Sequence, residues 1–220
     1  MIEQIFPDLL GGGGWINHLI FYRIPKNAST SIFNHLGAWN LLKKYEKLFQ
    51  QNADKRLYRN WFDPTHAKPD EAYRVFKRGL EKYFSFCIAR NPWDRAVSIY
   101  HFTEKEHLYK LYGFSKDTDF KTYCEILLEH KNNPYFIATN QQTDWLKGYC
   151  PPKEILRFEN LNEDFSNMLK NYNITHISDK LPHLNSTKHS NYRDYYSSET
   201  KKIIANVFEE DIDTLKYTFD

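Results

Sequence analysis

The stretch from His18 to Ile32, HLIFYRIPKNASTSI, constrains this chain more than any other. Leu19 to Ile24 form an apolar run rich in β-formers and too short for a helix of its own, which predicts a strand. Pro25 stops the run and fixes the backbone direction. From Ser29 onward, Ile32, Phe33 and Leu36 recur at helical spacing, so a helix is expected to start there. A loop that opens onto a helix start offers unsatisfied backbone N–H groups and the positive end of the helix dipole. Lys26, Thr30 and Ser31 add donors that suit phosphate or sulfate oxygens. The stretch is a candidate anion cradle.

The same plan recurs further on. Tyr83 to Ala89, YFSFCIA, reads as a second buried strand and runs directly into ARNPWDRAVSIY at Ala89–Tyr100. Here the helix-start signals are complete, with Asn91 at the cap, Pro92 at the first helical position and Asp94 in the first turn. Arg90 is therefore expected at the carboxyl end of a strand and Ser98 about two turns into the following helix. Parallel strands in one sheet would open both loops on the edge where open α/β sheets bind ligands. Further helical segments are expected over about His101–Leu111, Asp119–His130, Gln141–Lys147 and Leu161–Tyr172, with Glu154 to Phe158 as a third strand. Ser197 or Ser198 is expected to cap a last helix through Ile203, Ile204, Val207 and Phe208. The fold class expected is α/β, a single domain with a central, mostly parallel sheet of about four to five strands flanked by helices.

Composition narrows the partners. With 220 residues and a net charge of +2, the chain is long enough for one sizeable domain and too balanced for a nucleic-acid protein driven by bulk charge. No apolar run approaches a membrane span. The N-terminal lead, residues 1–17, ends in the glycine run Gly11–Gly14, and the domain is expected over 18–220. The lead lacks a basic segment followed by an apolar core, so no signal peptide is expected. Those glycines precede the first strand, the wrong side for a dinucleotide fingerprint. Cys87, Cys124 and Cys150 have no metal-like spacing and read as reduced thiols of a cytoplasmic protein. The histidines form no ligand set, and no metal site is expected.

The first loop is not the nucleotide triphosphatase loop, whose glycines it lacks and whose lysine comes in a different order. Nor does an acidic strand end stand ready to hold Mg²⁺. A sulfuryl group carries one charge fewer than a phosphoryl group and can be managed by a lysine and backbone donors. The arrangement fits sulfuryl transfer better than phosphoryl transfer.

At this point the residues match a known family. IPKNASTSI at Ile24–Ile32 resembles the 5′-phosphosulfate loop of sulfotransferases, and Ala89–Tyr100 resembles their 3′-phosphate motif, in the form found in the type 2, carbohydrate group with its heparan 2-O-sulfotransferase relatives. ILRFENL at Ile155–Leu161, the polar segment from Leu181 to Arg193, and YYSSET at Tyr195–Thr200 extend the resemblance over nearly everything from His18 to Tyr217. The resemblance implies the P-loop-like sulfotransferase fold, 3′-phosphoadenosine 5′-phosphosulfate (PAPS) as donor without a metal, and an acceptor hydroxyl on a glycan or glycoconjugate. It implies that Lys26 stabilises the leaving charge, and that Thr30, Ser31 and the N–H groups of Asn27, Ala28 and Ser29 hold the 5′-phosphate. Arg90 and Ser98 would hold the 3′-phosphate. Many relatives have glycine where this chain has Ser29, so a positive φ there would be strained.

Transfer also needs a base for the acceptor hydroxyl. His66 lies where the resemblance to the 2-O-sulfotransferase group places a catalytic histidine, with Asp70, Glu71 and His35 as fallbacks. Lys188, beside Ser186 and Thr187, lies in a segment that in relatives closes over the donor; a solvated loop is the bland alternative. Arg95 and Trp93 read as structural. Trp61, Phe62, Tyr109 and Tyr112 are candidates to stack on sugar rings, though such aromatics are more often core. Two other readings stay open: a metal-dependent kinase on the same chassis, and a nucleotide-binding module without catalysis.

Overall fold

Three short strands carry the β-formers read from the sequence: β1 (Leu19–Tyr22), β2 (Phe84–Ala89) and β3 (Glu154–Arg157). The computed structural model describes residues 19–36, 66, 68–76, 84–105, 114–133, 136–175, 177–181 and 190–220. The described residues group into two compact units, the first drawn from Met1–Ala89 and Asp144–Asn185, the second from Arg90–Thr143 and Ser186–Asp220. The class is α/β with an open parallel sheet, as expected. Among the described residues the sheet has three strands rather than about four or five.

In the first unit the strand order is β1-β2-β3, all parallel, with β2 central. The register pairs Tyr22 with Cys87 and Ala89 with Arg157, so the carboxyl ends of β1 and β2 lie on one edge of the sheet. A central parallel strand must be covered on both faces, and β2 is buried from Ser85 to Ala89. Phe86 and Ile88 point to one face, where they meet Ile32 of α1 (Ser29–His35) and Phe165, Met168 and Leu169 of α5 (Leu161–Asn171). Cys87 points to the other, against Tyr22, Ile24, Trp145, Cys150 and Ala72 of α2 (Pro69–Phe76). The spacing Leu161, Phe165, Met168 lays one apolar stripe of α5 on the sheet. Asp164 in its first turn accepts the N–H of Arg157 at 2.7 Å, tying the helix start to the end of β3.

Helix α2 has no counterpart among the elements expected from the sequence. Pro69 sits at its first position, and the Glu71 carboxylate accepts the Lys68 N–H at 2.7 Å, half of a capping box.

The second unit is helical: α3 (Pro92–Lys105), α4 (Phe120–Glu129), α6 (Ser198–Val207) and α7 (Glu209–Leu215). Its core holds Trp93, Ala96 and Ile99 of α3, Tyr123 and Leu127 of α4, and Ile204, Val207 and Phe208. α3 continues unbroken past Tyr100, so His101 belongs to the same helix and not to a new one. Asp119 caps α4 through the Thr122 N–H at 2.7 Å. Ser197 caps α6 in a reciprocal box with Thr200. The last helical stretch breaks at Phe208 into α6 and α7. The segment read as helix over Gln141–Lys147 forms only a 3₁₀ turn, Gln142–Trp145, because its side chains bond distant backbone instead of sitting on one apolar stripe.

Candidate active site

In the first unit, β1 leads through buried Arg23 and Ile24 into the turn at Pro25. Lys26 and Ala28 both take left-handed backbone, φ 69° and 54°, while Asn27 between them keeps an ordinary negative φ. Alternating hands of this kind turn successive N–H groups toward one concave side, an anion-binding nest. Each left-handed non-glycine residue costs about 1 kcal/mol, so something must hold the loop. Asn27 does so: it is fully buried, and its Nδ2 donates to the carbonyl of Ile88 on β2 at 2.6 Å. The Ala28 carbonyl accepts the first helical N–H groups, from Ser31 at 3.0 Å and Ile32 at 3.3 Å. Ser29 therefore opens α1 in helical backbone, and the positive φ values fall on Lys26 and Ala28 instead. Lys26 and Thr30 are half-buried and Ser31 is buried.

His66 joins this loop at its root. Its Nδ1 lies 2.7 Å from the carbonyl oxygen of Arg23. A carbonyl only accepts, so Nδ1 carries the proton and the lone pair of the neutral ring is on Nε2. Trp145 holds the residue from behind, its Nε1 donating to the His66 carbonyl at 3.1 Å. Trp145 is itself packed under Lys68, whose ammonium pairs with Asp144 at 2.7 Å.

The fallback bases have structural work. Asp70 accepts the Tyr149 N–H at 2.8 Å, and Glu71 caps α2. His35 donates from Nε2 to the Ser178 carbonyl at 2.7 Å and packs edge-on to Phe165. Tyr22 donates to the Cys150 carbonyl at 2.6 Å, and burial, reinforced by Cys150 and Asp70, pushes its hydroxyl well above the usual range.

In the second unit, Asn91 caps α3 by accepting the Trp93 N–H at 3.1 Å through its side chain and the Arg95 N–H at 2.8 Å through its carbonyl. Arg90, just outside the helix and 7% exposed, forms a two-point pair with Asp94 at 2.8 and 3.0 Å. Its backbone is gripped as well. The buried side chain of Gln142 accepts the Arg90 N–H at 2.9 Å and donates to the Arg90 carbonyl at 2.8 Å. Ser98 is buried further along α3.

Arg95 serves the unit's interior: it donates to the Asn140 carbonyl at 2.9 Å, lies 3.8 Å from Asp211 and packs over Phe208. Trp93 donates to the Lys201 carbonyl at 3.0 Å within the core. Both are structural. The structure thus brings His66 to the Lys26 loop and sets Arg90 ahead of the helix that carries Ser98. Lys188, with Ser186 and Thr187, lies outside the described residues, as do Trp61, Phe62, Tyr109 and Tyr112.

Sequence reasoning missed Gln142, which was read as part of a helix. The only local signal was a run of polar residues, Gln141 to Asp144, ending on a tryptophan. Among the described residues no group of three or more His, Cys, Asp or Glu side chains is placed to hold a metal ion, and no helix is long and apolar enough to cross a membrane.

An uncharacterized protein of Archaeoglobus fulgidus is 29% identical over 123 residues, which cover 54% of this chain and 91% of that one. The model of the Sulfotransferase family matches residues 16–218, a span that contains the strained lysine loop, His66 and the Arg90 motif together. With nearly its whole length matched, the chain belongs to the Sulfotransferase family.

Proposed function

We propose that this protein transfers a sulfuryl group from PAPS to a hydroxyl, in the first instance on a carbohydrate acceptor. The observation that carries the reading is the hydrogen bond from His66 to the Arg23 carbonyl, which anchors the ring three residues before Lys26 and sets its lone pair on Nε2. PAPS supplies the activated sulfuryl group and departs as 3′-phosphoadenosine 5′-phosphate. In this reading the loop from Lys26 to Ser31 holds the 5′-phosphosulfate, its backbone shaped by the left-handed residues Lys26 and Ala28. The Lys26 ammonium offsets the negative charge that builds on the bridging oxygen as the S–O bond breaks. His66 takes the acceptor proton on Nε2 as the new O–S bond forms.

Arg90 and Ser98 take the 3′-phosphate. Arg90 suits that task because Asp94 fixes the plane of its guanidinium, leaving little side-chain freedom to be lost on binding. Lys188 is proposed to add a further contact to a donor phosphate. The carbohydrate acceptor rests on the likeness to the type 2 group. Three buried thiols, none in a disulfide, support a reducing, cytoplasmic setting.

Isothermal calorimetry with 3′-phosphoadenosine 5′-phosphate, with 5′-AMP as control and EDTA throughout, tests the donor. Tight binding that requires the 3′-phosphate and is lost in Arg90→Ala is the expected result. Equal affinity for the two nucleotides overturns the reading.

A further inference from the structure

We infer that Gln142 is a positioning residue for the donor's 3′-phosphate, holding Arg90 in place by pairing with both its backbone N–H and its backbone carbonyl. The inference rests on the proposed role of Arg90 and extends it to a residue that neither loop motif contains.

Arg90 is the first residue beyond β2, past the last ladder pair of Ala89 with Arg157. It precedes Asn91, the cap of α3, so it belongs to neither hydrogen-bonded ladder. A backbone in that position is free to hinge unless it is paired, and buried N–H and carbonyl groups demand partners. A primary amide presents one acceptor and one donor side by side, the same pair of functions that a neighbouring strand would offer. Gln142 supplies both, at 2.9 and 2.8 Å, from a side chain with no exposure. The main chain of Arg90 is thus held by Gln142 and its guanidinium by Asp94. Only the side-chain torsions between those two fixed points remain, and the arginine is set before any ligand arrives.

The clamp is itself anchored. The next residue, Thr143, donates its N–H to the Asp211 carboxylate at 3.0 Å, and Asp211 faces Arg95 within the same unit. The preceding residue, Gln141, donates from Nε2 to the Val207 carbonyl at 2.7 Å. Gln142 is therefore fixed on both sides by α6, α7 and the segment that joins them.

The test compares nucleotide selectivity, which a loss of stability alone does not move. Affinities for 3′-phosphoadenosine 5′-phosphate and for 5′-AMP are measured by calorimetry on the full chain, in wild type, Arg90→Ala, Gln142→Met and Gln142→Glu. Each variant is titrated at a temperature where circular dichroism shows it folded. Gln142→Met removes both clamp bonds at nearly constant volume. It is expected to lower the preference for the 3′-phosphate at least tenfold, toward the Arg90→Ala value, with 5′-AMP affinity changed by less than about threefold. Gln142→Glu keeps the acceptor for the Arg90 N–H but loses the donor, and is expected to fall between wild type and Gln142→Met.

A preference that stays within about twofold of wild type in folded Gln142 variants, while Arg90→Ala loses it, overturns the inference and leaves the functional reading standing. Should Gln142→Met not fold, Gln142→Glu decides by the same comparison. Failure of both to fold marks Gln142 as purely structural and overturns the inference too. A wild type with no preference for the 3′-phosphate is the separate result that defeats the functional reading itself.

Discussion

A histidine that donates from Nδ1 to a main-chain carbonyl has its tautomer chosen for it, and for His66 the choice places the lone pair on Nε2. The same bond can be kept while the proposed base is removed. Asparagine places an amide N–H close to where Nδ1 stood, so His66→Asn is expected to retain the tie to Arg23 and lower turnover by roughly 10²–10⁴. Donor affinity should stay near wild type, as checked by calorimetry beside a sulfate-transfer assay. Lys26→Ala should behave differently: if the ammonium meets the donor directly, as proposed, turnover falls by roughly 10²–10³ and donor binding weakens as well. If His66→Asn kept full turnover against every acceptor that wild type sulfates, His66 would not be the base. Lys26 and the Arg90 motif were legible as residue types in order. What could not be read was that His66 would pair with Arg23, Asn27 with Ile88 and Arg90 with Gln142, partners 43, 61 and 52 residues apart in sequence.

At the scale of elements, the helices whose termini carry a chemical signal were the ones read well. Asn91 and Pro92 open α3 and Ser197 opens α6, each in its anticipated place. In α6 the Ser197 hydroxyl accepts the Thr200 N–H, and the Thr200 hydroxyl accepts the Ser197 N–H in return. Ser197→Ala is expected to destabilise the fold by about 1 kcal/mol, read as a lower urea midpoint with unchanged slope. A midpoint equal to wild type would mean that core packing alone fixes the helix start. Elements whose boundaries depend on long-range partners were misread. The Gln142–Trp145 turn has helical composition, but the Gln142 and Trp145 side chains bond backbone remote in sequence and the Thr143 N–H donates to the distant Asp211 carboxylate, and those bonds outcompete a regular helix. In the lysine loop only a positive φ at Ser29 would have brought strain to that position, and Ser29 does not adopt one. The left-handed backbone lies at Lys26 and Ala28, on either side of Asn27, whose side chain bonds the Ile88 carbonyl.

Across the whole molecule, the buried charges deep in the second unit set a pH dependence. Asp211 has no exposure, and burial holds its carboxyl above the ordinary 3.8 even though Arg95 pulls the other way. The native state then binds this proton more tightly than the unfolded chain does. The group therefore favours folding below pH 3.8 and loses that contribution as pH rises through its folded value. Asp211→Asn keeps an acceptor for the Thr143 N–H and cannot titrate. Relative to this variant, the wild type is expected to gain stability as pH is lowered from about 7 to about 4, measured as the difference in urea midpoints. A difference that does not change with pH would show that the carboxyl titrates alike in both states.

The sequence by itself determined the parallel α/β class, the order of the two strand–loop–helix motifs and the family, because strand runs, caps and motif spacing act over a few residues. Only the tertiary structure decided that Asn27 pins a strained lysine loop to β2, that His66 hangs from the exit of β1, and that Gln142 grips Arg90. Each of these is a hydrogen bond between a buried or half-buried side chain and a backbone group 43 to 61 residues away. Local pattern contains no term for such a pairing. Burial enforces it, because a polar group removed from water must find its partner wherever the folded chain brings one.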